Sequence, residues 1–253
     1  MTYRQKLSAR IAATGSNLCV GLDVRATDAG PATRDWILQV IEETAPHAAA
    51  FKPNAAYFEA LGWQGARLLE EICQAIPKDI PIVLDVKRGD IGETQSYYAK
   101  ACFDQLGVDA VTLNPFMGRD TIEPFLAYAD KGLYLLAVTS NPGAADIELQ
   151  HLANGNRQVF EIVADMTQAS DQVGLVLGLT NAAADILARI PDVPLLIPGL
   201  GAQGGDLDAL RASPRHAPQL INVSRGLLYA DPHLSFAEKA ATWKTRIATS
   251  LSA

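Results

Sequence analysis

Pro81-Ile82-Val83-Leu84-Asp85-Val86-Lys87-Arg88-Gly89-Asp90 is an apolar run that ends abruptly in charge. Its first half reads as a buried strand, since short, β-rich apolar runs suit strands covered on both faces. Its second half places two acids and two bases where such a strand emerges. Charges are seldom left at the end of a buried strand unless paired or functional. Asp85 and Lys87, two apart, are expected to leave the same face of the strand, and Gly89 lets the chain turn to present Asp90.

The same design recurs on both sides. Strands are expected at Leu18–Leu22, Ala49–Lys52, Ile82–Val86, Ala110–Leu113, Leu133–Val138, Leu175–Leu179, Leu195–Ile197 and Leu220–Val223. Amphipathic segments lie between them at Thr33–Ala45, Gly65–Ala75, Thr94–Leu106, Thr121–Tyr128, Gln158–Gln168, Ala183–Ile190 and Leu207–Ala212, with a last helix at Ala237–Thr249. Eight strands alternating with helices fit a (β/α)8 TIM barrel, and 253 residues is the size such a barrel takes. No Pro/Ser-rich linker or charge block divides the chain, so one domain over residues 1–253 is expected. The stretch from Asn141 to Asn156 reads as structureless and as a candidate active-site loop.

A doubly wound open sheet shares this alternation, so periodicity does not separate the two architectures. The strand ends do. Asp23, Lys52 and Asn54, Asp85 and Lys87, Asn114, Thr139 and Ser140, Thr180 and Asn181, Gln203, and Ser224 and Arg225 all follow apolar runs. In a barrel these ends converge on one rim, where catalytic groups of the fold sit.

Composition narrows the function. A net charge of −7 argues against a general footprint for nucleic acid or an anionic membrane, and no apolar run approaches the roughly 20 residues of a membrane span. Cys19, Cys73 and Cys102 are too few and scattered for a disulfide framework, and no zinc-ligand spacing occurs. Buried thiols in a reducing cytoplasm are expected. Residues 1–14 carry Arg4, Lys6 and Arg10 without an acid, as a transit peptide does, yet Tyr3, Leu7 and Ile11 repeat at helical spacing. A helix packed under the barrel is the better reading.

Lys52, ending the neighbouring strand in F-K-P-N, adds a second ammonium at the level of Asp85. Lys52, Asp85, Lys87 and Asp90 together form an alternating array of cations and anions with no net charge. Rigid charge in a water-poor site stabilises a developing anion without reorganisation, and a lysine there can deliver a proton. A D-x-K-x-x-D match alone would arise by chance at a rate on the order of a few per cent in a chain this long. Its place at a strand end gives it weight.

An anion site is expected where strands seven and eight end. Backbone N–H groups near Gly204 and Gly205 in P-G-L-G-A-Q-G-G-D, and the Arg225 guanidinium in N-V-S-R-G, suit a phosphate. Gly199 to Gly204 also satisfies G-x-G-x-x-G. A dinucleotide fingerprint, however, belongs in the first βα turn with an acid about 20 residues on, where this chain has Ser224 and Arg225.

The ordered runs G-L-D-V, F-K-P-N, D-V-K-R-G-D-I-G-E-T, T-L-N-P-F-M-G-R-D, T-S-N-P-G, P-G-L-G-A-Q-G-G-D and N-V-S-R-G resemble those of the orotidine 5'-phosphate decarboxylases, in their longer-chain branch. The resemblance implies a cofactor-free and metal-free enzyme in which Lys87 protonates C6 of the pyrimidine and Lys52, Asp85 and Asp90 complete the charged tetrad. It implies that Asp23 binds ribose hydroxyls, that Ser140 and the Pro198 region read the pyrimidine, and that Gln203, Gly204, Gly205 and Arg225 hold phosphate. It also implies a homodimer in which Asp90, Ile91 and Thr94 reach into the partner's site. Members of the family close a long loop after strand seven; here a helix follows soon, so closure is expected to draw partly on residues 141–156.

Two rivals remain at this point. A sister group of sugar-phosphate decarboxylases and aldolases shares the D-x-K-x-x-D strand but uses magnesium, and Lys52 would place a cation against that metal. An inactive barrel that binds a nucleotide or a protein partner is opposed by the intact charge array.

Overall fold

The computed structural model describes residues 1–153, 155–182, 184–198 and 207–251. The eight expected strands are present: β1 (Leu18–Leu22), β2 (Ala50–Pro53), β3 (Val83–Arg88), β4 (Ala110–Leu113), β5 (Gly132–Val138), β6 (Val173–Leu177), β7 (Leu195–Pro198) and β8 (Gln219–Val223). All pairings are parallel, in the order β2-β1-β8-β7-β6-β5-β4-β3. Parallel bridges Phe51↔Ile82 and Asn54↔Asp85 join the two ends of this sheet, so the strands close into a TIM barrel.

Two faces explain the continuous apolar runs. Outward residues such as Leu18, Val20, Phe51, Leu84, Val111, Leu135 and Ile221 pack under the helices. Inward ones, Cys19, Ala50, Val83, Ala110, Tyr134, Val176, Leu196 and Leu220, fill the barrel itself. Burial holds each cysteine as a neutral thiol, with its pKa pushed up to about 12. All three cysteines are free and buried.

Helix α1 (Tyr3–Thr14) closes the barrel floor, as its spacing predicts. Thr2 and Gln5 form a capping box, and the buried Tyr3 and Leu7 join the inner cluster. The Tyr3 hydroxyl meets that of Tyr134 at 2.8 Å. Gly132 makes room for the ring: a Cβ there would lie 2.1 Å from Tyr3 Cδ1. Two of the basic residues of this segment are anchors. Lys6 binds Asp109 at 2.8 Å, while Arg10 binds Asp79 at 2.7 Å and donates to the carbonyls of Ala45 and Ala48.

Outside the barrel lie α2 (Pro31–Thr44), α3 (Ala55–Glu59), α4 (Gly62–Ala75), α5 (Gly92–Lys100), α6 (Glu123–Leu126), α7 (Val159–Met166), α8 (Ala184–Ala188), α9 (Leu207–Arg211), α10 (Arg225–Leu228) and α11 (Phe236–Leu251). The expected helix Thr94–Leu106 is α5 followed by a π turn at Ala101–Gln105. The stretch from Asn141 to Asn156 is not structureless. It carries a 3-10 turn at Pro142–Asp146, and His151 pairs with Gln158 in an antiparallel bridge. Proline at the first turn position favours the former, because its fixed φ suits a helical start. Among the described residues no helix is long and apolar enough to cross a membrane.

Candidate active site

The charged run sits on an irregular strand. Val83 pairs with Ala110 and Leu84 with Val111, but the next partner pair is Arg88 and Leu113, so Asp85, Val86 and Lys87 together face Thr112. Thr112 Oγ1 accepts the N–H groups of both Val86 and Lys87 at 3.0 Å, and its own hydroxyl donates to Asp85 Oδ1 at 3.1 Å. Lys87 occupies the left-handed region with φ +46°. For a residue with a Cβ that conformation costs roughly 1–2 kcal/mol, and such strain persists where surrounding contacts fix it. The meeting of Lys87 with Asp85 therefore comes from a bulge, not from the two-residue alternation that the sequence suggests. The bulge turns the chain so that the lysine faces back toward its neighbour.

Asp85 is the hub. It accepts from Lys52 Nζ at 2.7 Å through Oδ2 and forms an ion pair with Lys87 through Oδ1. Burial alone would raise the Asp85 pKa; the two ammonium groups outweigh it and hold the carboxyl down at about 2. Lys52 has 3% of its side chain exposed. Burial opposes its charge, but Asp85 and then Asp23 overcome that and push its pKa above the ordinary value. Lys87 is half exposed at the mouth, on the solvent side of the pair. The row is thus a buried cation, a nearly buried anion and an accessible cation.

Asp90 does not join that row within one chain. Among the described ion pairs none involves Asp90, whose Oδ1 accepts the Ile91 N–H at 2.8 Å. Ile91 is 60% exposed and Thr94 is exposed too, at the start of α5. Three members of the expected tetrad come together; the fourth, Asp90, is part-buried and pairs with none of them, next to the exposed Ile91 and Thr94.

Next to Lys52 the barrel mouth is lined by β1 and β8. Gly21 pairs with Lys52, and a Cβ at Gly21 would lie 2.8 Å from Ser224 Cβ and 2.9 Å from Asn222 Oδ1. Asp23 Oδ1, Asn222 Oδ1 and Ser224 Oγ are buried on these two strand ends without hydrogen-bond partners among the described residues. Buried polar atoms without partners are costly and mark places built for something else. Arg225 opens α10 with its side chain exposed, Ser140 is exposed after β5, and Pro198 ends β7. Gln203, Gly204, Gly205 and the G-x-G-x-x-G turn lie outside the described residues.

Sequence reasoning missed Thr112 and Asn222. Thr112 sits in T-L-N-P as an inward position two after Ala110, a signal that strand alternation offers. Asn222 is likewise a polar residue facing inward on an apolar strand.

Fold and site together define a TIM-barrel enzyme with a lysine–aspartate–lysine centre at its C-terminal rim. Comparison with known proteins makes this specific. A family model described as the orotidine 5'-phosphate decarboxylase / HUMPS family matches residues 16–240, and the chain belongs to that family. It is 44% identical over 250 residues to the orotidine 5'-phosphate decarboxylase of Herpetosiphon aurantiacus, covering 94% of this chain and 93% of the relative. Identity to the enzyme of the same name from Roseiflexus castenholzii is 43% over 258 residues, with 96% and 94% covered. Among solved structures, Leishmania donovani OMP decarboxylase superposes with a TM-score of 0.90 at 38% identity, over 100% of both chains.

Proposed function

We propose that this chain converts orotidine 5'-phosphate to uridine 5'-phosphate and carbon dioxide, the last step in making the pyrimidine nucleotide, by direct electrostatic stabilisation at C6. Family membership and full-length relatives of that activity support the carboxy-lyase reaction. The observation that carries the mechanism is the Lys52–Asp85–Lys87 row.

When the C6–carboxylate bond breaks, its electron pair stays on C6 in the plane of the ring, where the π system does not delocalise it. The anion must be met by charge placed in advance. Lys87 supplies that charge and then its proton: the pair on C6 takes a hydrogen from Nζ, carbon dioxide departs, and the neutral amine regains a proton from solvent. Asp85, ionised down to pH about 2, keeps Lys87 aimed, and Lys52 keeps Asp85 in place from below. No cofactor or metal enters these steps.

Asp23 binds the ribose hydroxyls, Ser140 and the Pro198 region the pyrimidine, and Gln203, Gly204, Gly205 and Arg225 the phosphate. Phosphate binding is remote from C6, so its energy serves positioning and desolvation of the row. The tetrad is completed in a homodimer, with Asp90, Ile91 and Thr94 entering the partner's site. The exposure of Ile91 and Thr94 supports this, as does that of Tyr97 on α5 and of Phe116 and Met117 after β4. Exposed apolar side chains favour association when a partner covers them.

The test is to add orotidine 5'-phosphate to the purified protein in excess chelator and follow the loss of its ultraviolet absorbance, beside Lys87→Ala. Turnover by the wild type and none by the variant is expected. An inert wild type, or a variant of equal rate, overturns the assignment.

A further inference from the structure

We propose that Asn181, on the turn after β6, is a positioning residue that sets Ser140 for reading the pyrimidine. The proposal rests on the reading of Ser140 given above. Asn181 Nδ2 donates to the carbonyl of Thr139 at 2.8 Å and to that of Asn141 at 2.8 Å. These are the residues on either side of Ser140. Both partners are acceptors, so the amide nitrogen and its two hydrogens must face them.

The rest of the environment tightens the same three residues. The Thr139 N–H donates to Glu148 Oε2 at 2.7 Å, from the segment after the 3-10 turn. Gly178 lies against Ser140 itself: a Cβ there would sit 2.5 Å from Ser140 N and 2.7 Å from its Cα. The Gly178 carbonyl accepts the Asn181 N–H at 3.0 Å, which fixes the turn that carries the amide. Ser140 is an exposed residue on a backbone held on both flanks, which is how a loop serine can be aimed as sharply as one on a strand.

A side chain that merely fills space and one that holds two carbonyls respond differently to substitution. Asn181→Ala removes both donors. Asn181→Asp keeps the shape but aims carboxylate oxygens at two carbonyl oxygens, so it is expected to be the worse of the two.

The experiment measures equilibrium binding of uridine 5'-phosphate, which carries the pyrimidine, and of ribose 5-phosphate, which does not. Asn181→Ala is expected to weaken uridine 5'-phosphate about tenfold, the scale of one or two neutral hydrogen bonds, and ribose 5-phosphate by no more than about twofold. In the Ser140→Ala background the same change should add less than about twofold. Equal loss for both ligands, full additivity with Ser140→Ala, or wild-type binding by Asn181→Asp overturns the positioning role. If Ser140→Ala binds uridine 5'-phosphate like the wild type, the pyrimidine role of Ser140 fails and the proposal with it. A weakened Ser140→Ala beside an unaffected Asn181→Ala refutes the positioning role alone.

Discussion

Asp85→Asn is the substitution whose outcome the geometry fixes most closely. It leaves the shape of the side chain intact and removes its charge. Lys52, with 3% of its side chain exposed, then loses the carboxylate 2.7 Å away, and Lys87 loses the same partner. Removing one member of a buried pair costs about 3–5 kcal/mol, because the remaining charge is left uncompensated. Asp23 still attracts Lys52, which places the expected loss at the low end, about 3 kcal/mol. With a urea slope of about 3 kcal/mol per molar, the unfolding midpoint moves down by about 1 M. A second change, Lys52→Met, removes the stranded cation and should return stability to within about 1 kcal/mol of the wild type, since apolar replacements of buried pairs are often neutral. Both variants should be inactive toward orotidine 5'-phosphate. The assay is urea unfolding followed by circular dichroism, with turnover measured alongside. An Asp85→Asn midpoint indistinguishable from wild type, or a double variant no more stable than the single one, would refute the reasoning.

Three further outcomes follow from the same structure. Arg225→Ala should lower kcat/KM by about ten- to a hundredfold, the scale of lost charge-assisted hydrogen bonds, and an unchanged value would remove the phosphate role. The depressed Asp85 pKa makes stability acid-sensitive: its contribution is complete above the ordinary carboxylate value of 3.8 and is lost as pH falls through about 2. That window corresponds to roughly 2 kcal/mol, present in the wild type and missing from Asp85→Asn when unfolding is measured against pH. Gly132→Ala should destabilise the barrel floor, since its Cβ would lie 2.1 Å from the Tyr3 ring, and the same change made in a Tyr3→Ala background, where the ring is gone, should cost less in thermal unfolding.

The barrel was legible because each strand is an apolar run with polar residues at one end, and parallel strands buried on both faces have no other way to look. Lys52, Asp85 and Lys87 were legible for the same reason. How Lys87 reaches Asp85 was not: the bulge depends on Thr112, on a different strand, whose hydroxyl takes two successive N–H groups. Local alternation carries no information about such a partner. Helices α3 and α10 have five and four residues, too few to show a period, although Asn54, which caps α3 at Ala56 N, was a readable signal. The turns between Asn141 and Asn156 escaped because short 3-10 pieces rest on local geometry, not on a hydrophobic stripe. The exposure of Ile91 and Thr94 at the start of α5 was not legible from periodicity, and the proposed role of Asp90 in a second chain's site rests on the family resemblance.

The central claim, a charged row completed by the partner's aspartate around a proton-donating lysine, is tested most directly by mixing two inactive variants. Lys87→Ala and Asp90→Asn subunits, unfolded together and refolded, would pair at random, and each mixed dimer would hold one intact site and one doubly defective one. Turnover of orotidine 5'-phosphate should return to about one quarter of the wild-type rate, as expected for a two-fold symmetric dimer with shared sites. No recovery on mixing, or wild-type turnover by Lys87→Ala alone, would contradict the account.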